Sequence, residues 1–291
     1  MFAVPAFGVP TDDLTRLLRF ADIHEDRIVF VHAGDIWIVP SEGGQARRLT
    51  SHEGQELFPK FSPDGRWIAF SAEYGGNRQV FVMSADGGTP RQLTYHNDVG
   101  PMPPRGGFDY RVLDWTPDGE HVMVRANRLP WGVRMGRYHL VPADGSTEVP
   151  MQIPEGGGGM FSPDGTKVVY TPIDREFRTW KRYRGGRAQD VWIYDLEENS
   201  SEQLTSHPGT DNQPLWVGED IYFTSDREHT LNLFALDAGG PGPWLLDPGQ
   251  QLQLSADYTP GAGMAVAIDG DGCFQMTMQE LATVVQENLP I

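Results

Sequence analysis

One phrase recurs along the chain: Phe61-Ser62-Pro63-Asp64-Gly65, Trp115-Thr116-Pro117-Asp118-Gly119 and Phe161-Ser162-Pro163-Asp164-Gly165. Each copy sits inside a longer unit. A short apolar run follows it, then a second run that ends at a turn, twice of the acidic-Gly kind (Asp86-Gly87, Asp144-Gly145). Two units close on a Leu-Thr pair, Leu93-Thr94 and Leu204-Thr205, and an earlier Leu49-Thr50 marks another. Self-similarity at about 40–50 residues, with four short strands in each unit, is the signature of a β-propeller.

The local physics agrees. In Pro63-Asp64-Gly65 the proline presets φ for a turn, the aspartate can bond its own backbone, and the glycine accepts positive φ. Trp67-Ile68-Ala69-Phe70 and the run 79–83 are rich in strand formers, and the turn Ala85-Asp86-Gly87-Gly88 leads to an outer strand expected to end at Thr94. Five units are counted, at about 17–51, 57–95, 110–153, 158–206 and 212–247. The fifth has Val217-Gly218-Glu219-Asp220 where the Pro-Asp-Gly turn would stand, but keeps Ile221-Tyr222-Phe223 and the run 233–237. A single blade cannot bury both faces, so the blades must stack around an axis.

Composition sets limits. A net charge of −17 over 291 residues argues against nucleic acid or an anionic membrane as partner. One cysteine, Cys273, excludes an internal disulfide framework and fits a reducing compartment. No stretch reaches the roughly 20 apolar residues that span a bilayer, and the first dozen residues lack a basic start and are broken by Pro5 and Pro10. The expectation is a cytoplasmic protein.

The chemistry-bearing residues point to contacts, not catalysis. His52, His96 and His207 each lie two residues after the Thr of a Leu-Thr pair; equivalent positions on successive blades spread around a ring, so a structural role at blade connections is expected. The other histidines show no metal-ligand spacing, no Gly-x-Ser-x-Gly elbow is present, and Cys273 stands among Asp269, Asp271 and Glu280 instead of the cations that activate a thiol. No catalytic residue, metal or cofactor is assigned. One feature opposes the acidic background: Arg175, Arg178, Lys181, Arg182, Arg184 and Arg187, an insertion in the fourth unit. Two readings stand: a contact for an anionic group such as a peptide carboxylate or an acidic neighbouring chain, through bidentate arginine geometry, or a loop folded onto its own acidic protein with Trp180 and Tyr183 stacking. A second irregular stretch, 97–110, reads as a surface loop.

From about 17 to 247 the chain resembles the amino-terminal propeller of tricorn-type proteases. The residues carrying this are Asp22-Ile23-His24-Glu25-Asp26-Arg27-Ile28-Val29-Phe30, Gly34-Asp35-Ile36-Trp37, the Ser-Pro-Asp-Gly units, and most specifically Glu176-Phe177-Arg178-Thr179-Trp180-Lys181-Arg182-Tyr183-Arg184-Gly185-Gly186-Arg187, followed by Asp190-Val191-Trp192-Ile193-Tyr194-Asp195. Ser-Pro-Asp-Gly alone is weaker, because Tol-type and other peptidase propellers share it. The resemblance implies a six-bladed propeller placed ahead of a second propeller, a PDZ domain and a serine peptidase core, none of which is found here, and hence a scaffold that channels peptides or organises assembly.

The stretch 264–291 is similar instead to the cofactor-binding segment of acetohydroxyacid synthases, thiamine-diphosphate enzymes, through Gly270-Asp271-Gly272 and the flanking Ile268-Asp269 and Cys273-Phe274-Gln275-Met276. That resemblance implies Asp271 as a Mg²⁺ ligand beside a diphosphate, a role needing further oxygen ligands that this chain does not supply, so no cofactor is expected to bind. The same residues also read as strands of a makeshift sixth blade, or, over 278–288, as a helix. An EF-hand reading fails, since Cys273 and Phe274 occupy positions of a ligand and the essential glycine.

The expectation is therefore an all-β, six-bladed-type propeller with five recognisable blades: an extension over 1–16, the propeller over 17–250, and a divergent tail over 251–291. Its partners are expected to be peptides or proteins, with self-association through an incompletely closed ring. A free-standing interaction propeller of Tol type and a fragment of a thiamine-diphosphate enzyme are the alternatives.

Overall fold

The computed structural model describes residues 18–96, 110–126, 136–153, 155–173, 189–228, 232–238 and 244–245. Within them the chain forms five four-stranded antiparallel meanders. The first comprises β1 (Leu18–His24), β2 (Arg27–His32), β3 (Asp35–Pro40) and β4 (Arg47–Arg48). The second has β5 (Glu56–Phe61), β6 (Trp67–Ala72), β7 (Gln79–Ser84) and β8 (Arg91–Gln92). The third has β9 (Arg111–Trp115), β10 (His121–Ala126), β11 (Arg137–Pro142) and β12 (Val149–Pro150). The fourth has β13 (Gly159–Phe161), β14 (Lys167–Tyr170), β15 (Trp192–Asp195) and β16 (Ser200–Gln203), and the fifth β17 (Asp211–Val217), β18 (Asp220–Ser225), β19 (Asn232–Asp237) and β20 (Trp244–Leu245). The first strands neighbour one another in succession, β1 on β5, β5 on β9, β9 on β13 and β13 on β17, which is how innermost strands stand around a propeller axis.

The repeated phrase builds the same turn three times. The Ser62 hydroxyl donates to Asp64 Oδ1 (2.6 Å) and accepts from the Trp67 N–H (2.9 Å), while Asp64 Oδ1 also accepts from the Arg66 N–H (3.0 Å). Thr116 with Asp118 and Ser162 with Asp164 repeat these bonds. Gly65, Gly119 and Gly165 take φ of +66°, +71° and +74°, which a side chain would strain. The fifth blade replaces the device with a two-residue hairpin, Val217 pairing Asp220 across Gly218 at φ +61°.

The Leu-Thr pairs close their blades differently from the expectation. The outer strand of the second blade ends at Gln92, and Thr94 lies beyond it as a latch: its buried hydroxyl oxygen accepts the Val80 N–H (2.9 Å). Thr50 and Thr205 do the same for the Ile36 and Val191 N–H groups (2.8 and 2.9 Å). The leucine ahead of each packs inward, its own N–H bonded to the carbonyl of the same β3, β7 or pre-β15 residue.

Strand alternation divides the core among the blade interfaces. Ile68 and Phe70 of β6 pack on Val29, Ile36 and Ile38 of the first blade, while Ala69 between them faces Val112, Val122 and Val124 of the third. Val168 and Tyr170 meet Met123 and Tyr138, and Val169 joins Trp216, Ile221 and Phe223. The far face of the fifth blade carries its own small cluster, Tyr222 and Ala235 with Leu215, Val217 and Leu233.

Candidate functional site

The inner strands are where the chain departs from ideal geometry. In β1, Arg19 pairs Val31 and Asp22 pairs Val29, so Phe20 and Ala21 stand opposite the single Phe30. The same bulge sets Phe58-Pro59 against Phe70, and Gln213-Pro214 against Phe223. At each the first residue is left-handed: Phe20 at φ +53°, Phe58 at +55°, Gln213 at +55°. Non-glycine residues held there cost on the order of 1–3 kcal/mol, and such strain gathers at sites of function. Pro59 and Pro214 have no N–H to leave unpaired, which suits them to the second bulge position.

The bulges bring together side chains from three blades. The Phe20 and Phe58 rings lie 4.3 Å apart between centroids; the Arg19 guanidinium covers the Phe20 ring at 4.7 Å, and that of Arg111, opening β9, covers Phe58 at 4.7 Å. The result is a cluster in which two rings, tilted 53° to one another, each lie against a guanidinium.

Farther along the same strands runs a string of charges. Lys60 of β5 donates to Asp22 of β1 (2.8 Å), whose other oxygen takes the Phe61 N–H (2.8 Å). Trp115 Nε1 donates to the Lys60 carbonyl (3.0 Å). Asp114, one step on in β9, accepts the Phe161 N–H of β13 (2.9 Å) and the Trp115 N–H (2.8 Å). Removal from water pushes Asp114 up to about 6, against the pull of the Phe161 N–H and of the Lys60 charge. Four inner strands are thus cross-linked by polar side chains.

The sequence-predicted residues fare unevenly. Arg175, Arg178, Lys181, Arg182, Arg184 and Arg187 lie outside the described residues, as do residues 97–109 of the second loop, Cys273 and Asp271. His52 and His207 do have the expected connecting role, each accepting through Nδ1 the N–H of the glycine two residues on, Gly54 and Gly209 (2.9 Å both). His96 differs, its Nε2 lying 3.6 Å from Glu148, which takes the Tyr110 hydroxyl. Asp118, Glu120 and His121 place ligand atoms within 4.8 Å of one another on an exposed turn. Asp118 is already engaged there by the Thr116 hydroxyl and the Glu120 N–H, which lower its pKa. Nothing in the sequence reading singled out Arg19, Phe20, Phe58 or Arg111; the visible clue was proline inside two strand patterns.

Residues 15–243 match the family model described as the tricorn protease N-terminal beta propeller domain. The chain belongs to that family. Tricorn protease homolog 1 of Streptomyces coelicolor is 30% identical over 236 residues, covering 80% of this chain and 21% of the relative. The crystal structure of the tricorn protease superposes with a TM-score of 0.66 at 25% identity, over 79% of this chain and 22% of that one. A TolB structure from Agrobacterium tumefaciens reaches 0.63 at 16% identity, over 80% and 81%, a likeness of fold. The chain spans about a fifth of the length of the curated tricorn relatives it first matches. Residues 252–291 match a second model, the thiamine pyrophosphate enzyme C-terminal TPP binding domain. That segment lies outside the described residues, and no step is assigned to the cofactor.

Proposed function

We propose that this tricorn-type propeller is a non-catalytic portion of a peptide-degrading system, holding peptides or a protein partner at the inner end of its blades. The observation that supports this most is the family match over 15–243. The cluster of Arg19, Phe20, Phe58 and Arg111 offers the contact chemistry: positive charge for an anionic group, beside aromatic faces suited to an apolar side chain. The basic stretch from Arg175 to Arg187 is proposed as a second set of contacts to the same anionic partners. Hydrolysis is not assigned to the described residues. A free-standing interaction propeller is favoured by likeness of fold alone.

The test is fluorescence anisotropy with short labelled peptides bearing either a free or an amidated C-terminus. Saturable, salt-sensitive binding is expected, weakened about tenfold, or ~1.4 kcal/mol, by combining Arg19→Ala with Arg111→Ala while circular dichroism stays unchanged. Binding unaffected by that pair of substitutions removes the inner site. Binding that is instead lost on charge reversal at Arg182 and Arg184 moves the site to the basic stretch.

A further inference from the structure

Blade junctions in this molecule are sealed in two chemically different ways at one repeated position. At the junction of the second and third blades stands Gln79, the first residue of β7. Its amide accepts the Thr94 hydroxyl (2.8 Å) and donates to the His96 carbonyl, satisfying both ends. In the first blade the equivalent residue is Asp35, opening β3, and it meets a second carboxylate. Glu56, the first residue of β5, is wholly buried, and its N–H is bonded to the Gly34 carbonyl (2.8 Å), stitching blade one to blade two. Asp35 Oδ2 takes Arg48 (2.7 Å). Among the described residues, Asp35 Oδ1 and both Glu56 oxygens are buried without a hydrogen-bond partner.

Two like charges with one counter-ion, where Glu56 has only the Thr50 and Tyr74 hydroxyls to turn to and Asp35 Oδ1 is buried without a partner, cannot both stay ionised without a large cost. We infer that Glu56 holds a proton in the native protein and that Asp35 and Glu56 act as an acid–carboxylate pair, doing at this junction what the Gln79 amide does at the next. The protonated carboxyl supplies the donor that Asp35 Oδ1 lacks. The groups facing the pair are Arg48 from β4, the Thr50 and Tyr74 hydroxyls, and His52, whose ring lies 4.2 Å from that of Tyr74. Glu73 beyond β6 is already matched by Arg78 (2.6 Å). Burial raises Glu56 to about 7, the Tyr74 and Thr50 hydroxyls opposing. The fourth and fifth blades repeat the motif. Asp211, wholly buried, opens β17 with its N–H on the Gln189 carbonyl (2.9 Å) and Oδ2 on Arg227 (2.8 Å). Neighbouring Asp190, engaged by Gln203, and Asp211 each keep one oxygen unpartnered.

The consequence is a junction that loosens as pH rises. Between about 4.5 and 7 the folded chain holds a proton that the unfolded chain has released, so stability falls across that window and the penalty is complete above it. Thermal midpoints of the full chain at about pH 5 and about pH 8 test this, comparing the natural sequence with Glu56→Gln. The substitution is expected to leave the midpoint near that of the natural protein at the lower pH, to raise it at the higher pH, and to flatten the profile. A profile unchanged by Glu56→Gln, or a midpoint lowered equally at both pH values, overturns the inference. So does a midpoint at the higher pH that calcium raises in the natural chain and not in the variant, since the pair would then be a cation site. Should the variant fail to fold, infrared spectra of the natural chain carrying isotope-labelled glutamate decide: a buried protonated glutamic-acid band lost between the two pH values supports the pair, and its absence sinks it, since Asp114 and Asp190 lie outside the labelled band.

Discussion

The turn-bearing ends of the blades and the inner strands at the axis belong to the same repeats, yet they are held in opposite ways. At the turns the bonds that shape the loop are short-range: Ser62, Asp64 and Trp67 satisfy one another within five residues, and two further blades copy them, while the Pro63 and Gly65 carbonyls also meet His24 and Arg27 of the first blade. At the axis the bonds run a whole repeat apart, from Asp22 to Lys60 and Phe61 and from Asp114 to Phe161; the link from aspartate to a phenylalanine N–H recurs at two junctions, and the ammonium of Lys60 lies between them. Local satisfaction lets a unit be duplicated. Satisfaction across units sets each blade against its neighbours, since Lys60 carries its charge between Asp22 of the first blade and Asp114 of the third.

Lys60→Ala should strike this contrast hardest. It leaves Asp22 without its ammonium partner and takes from Asp114 the charge that opposes its upward shift; a loss of about 3–5 kcal/mol is expected, as for other broken buried pairs. The loss should be smaller near pH 5, where Asp114 takes up a proton, and chemical denaturation at two pH values reads both. Thr94→Val comes next. It removes the buried acceptor of the Val80 N–H and the donor to Gln79, expected to cost about 1–3 kcal/mol; a loss as large as that of Lys60→Ala would blur the distinction between latch and ring. Ser62→Ala should cost about 1 kcal/mol, since its bonds lie at a partly exposed turn that its neighbours also fix. The smallest effect belongs to Gln213→Gly, which relieves the left-handed φ of +55°. A stability equal to that of the natural chain, or higher by about 1 kcal/mol at most, is expected, and a clear destabilisation would mean that the Thr224 bond to the Gln213 amide outweighs the strain.

The sequence disclosed what was local. Pro63-Asp64-Gly65 and its copies announced turns, and Leu49-Thr50, Leu93-Thr94 and Leu204-Thr205 announced blade ends, because each motif completes its own hydrogen bonds within about 15 residues. It did not disclose the cluster of Arg19, Phe20, Phe58 and Arg111. Arginine and phenylalanine are ordinary strand residues, and only the bulges, which differ in sequence between Phe20-Ala21, Phe58-Pro59 and Gln213-Pro214, turn them toward one another. Glu56 was equally silent, since a glutamate at the start of a strand reads as solvated until the neighbouring blade covers it.

The outermost strands have a consequence for the company this protein keeps. β4, β8 and β12 are two residues long, Arg47–Arg48, Arg91–Gln92 and Val149–Pro150, and β16 is the wholly polar Ser200–Gln203. A foreign strand needs a row of open backbone groups to zip onto, and these margins offer little more than one rung each, fenced by guanidinium groups or by a proline that has no hydrogen to give. Among the described residues of the first four blades, the outer margin is therefore blunt. Another chain's strand finds no rail there to extend the sheet.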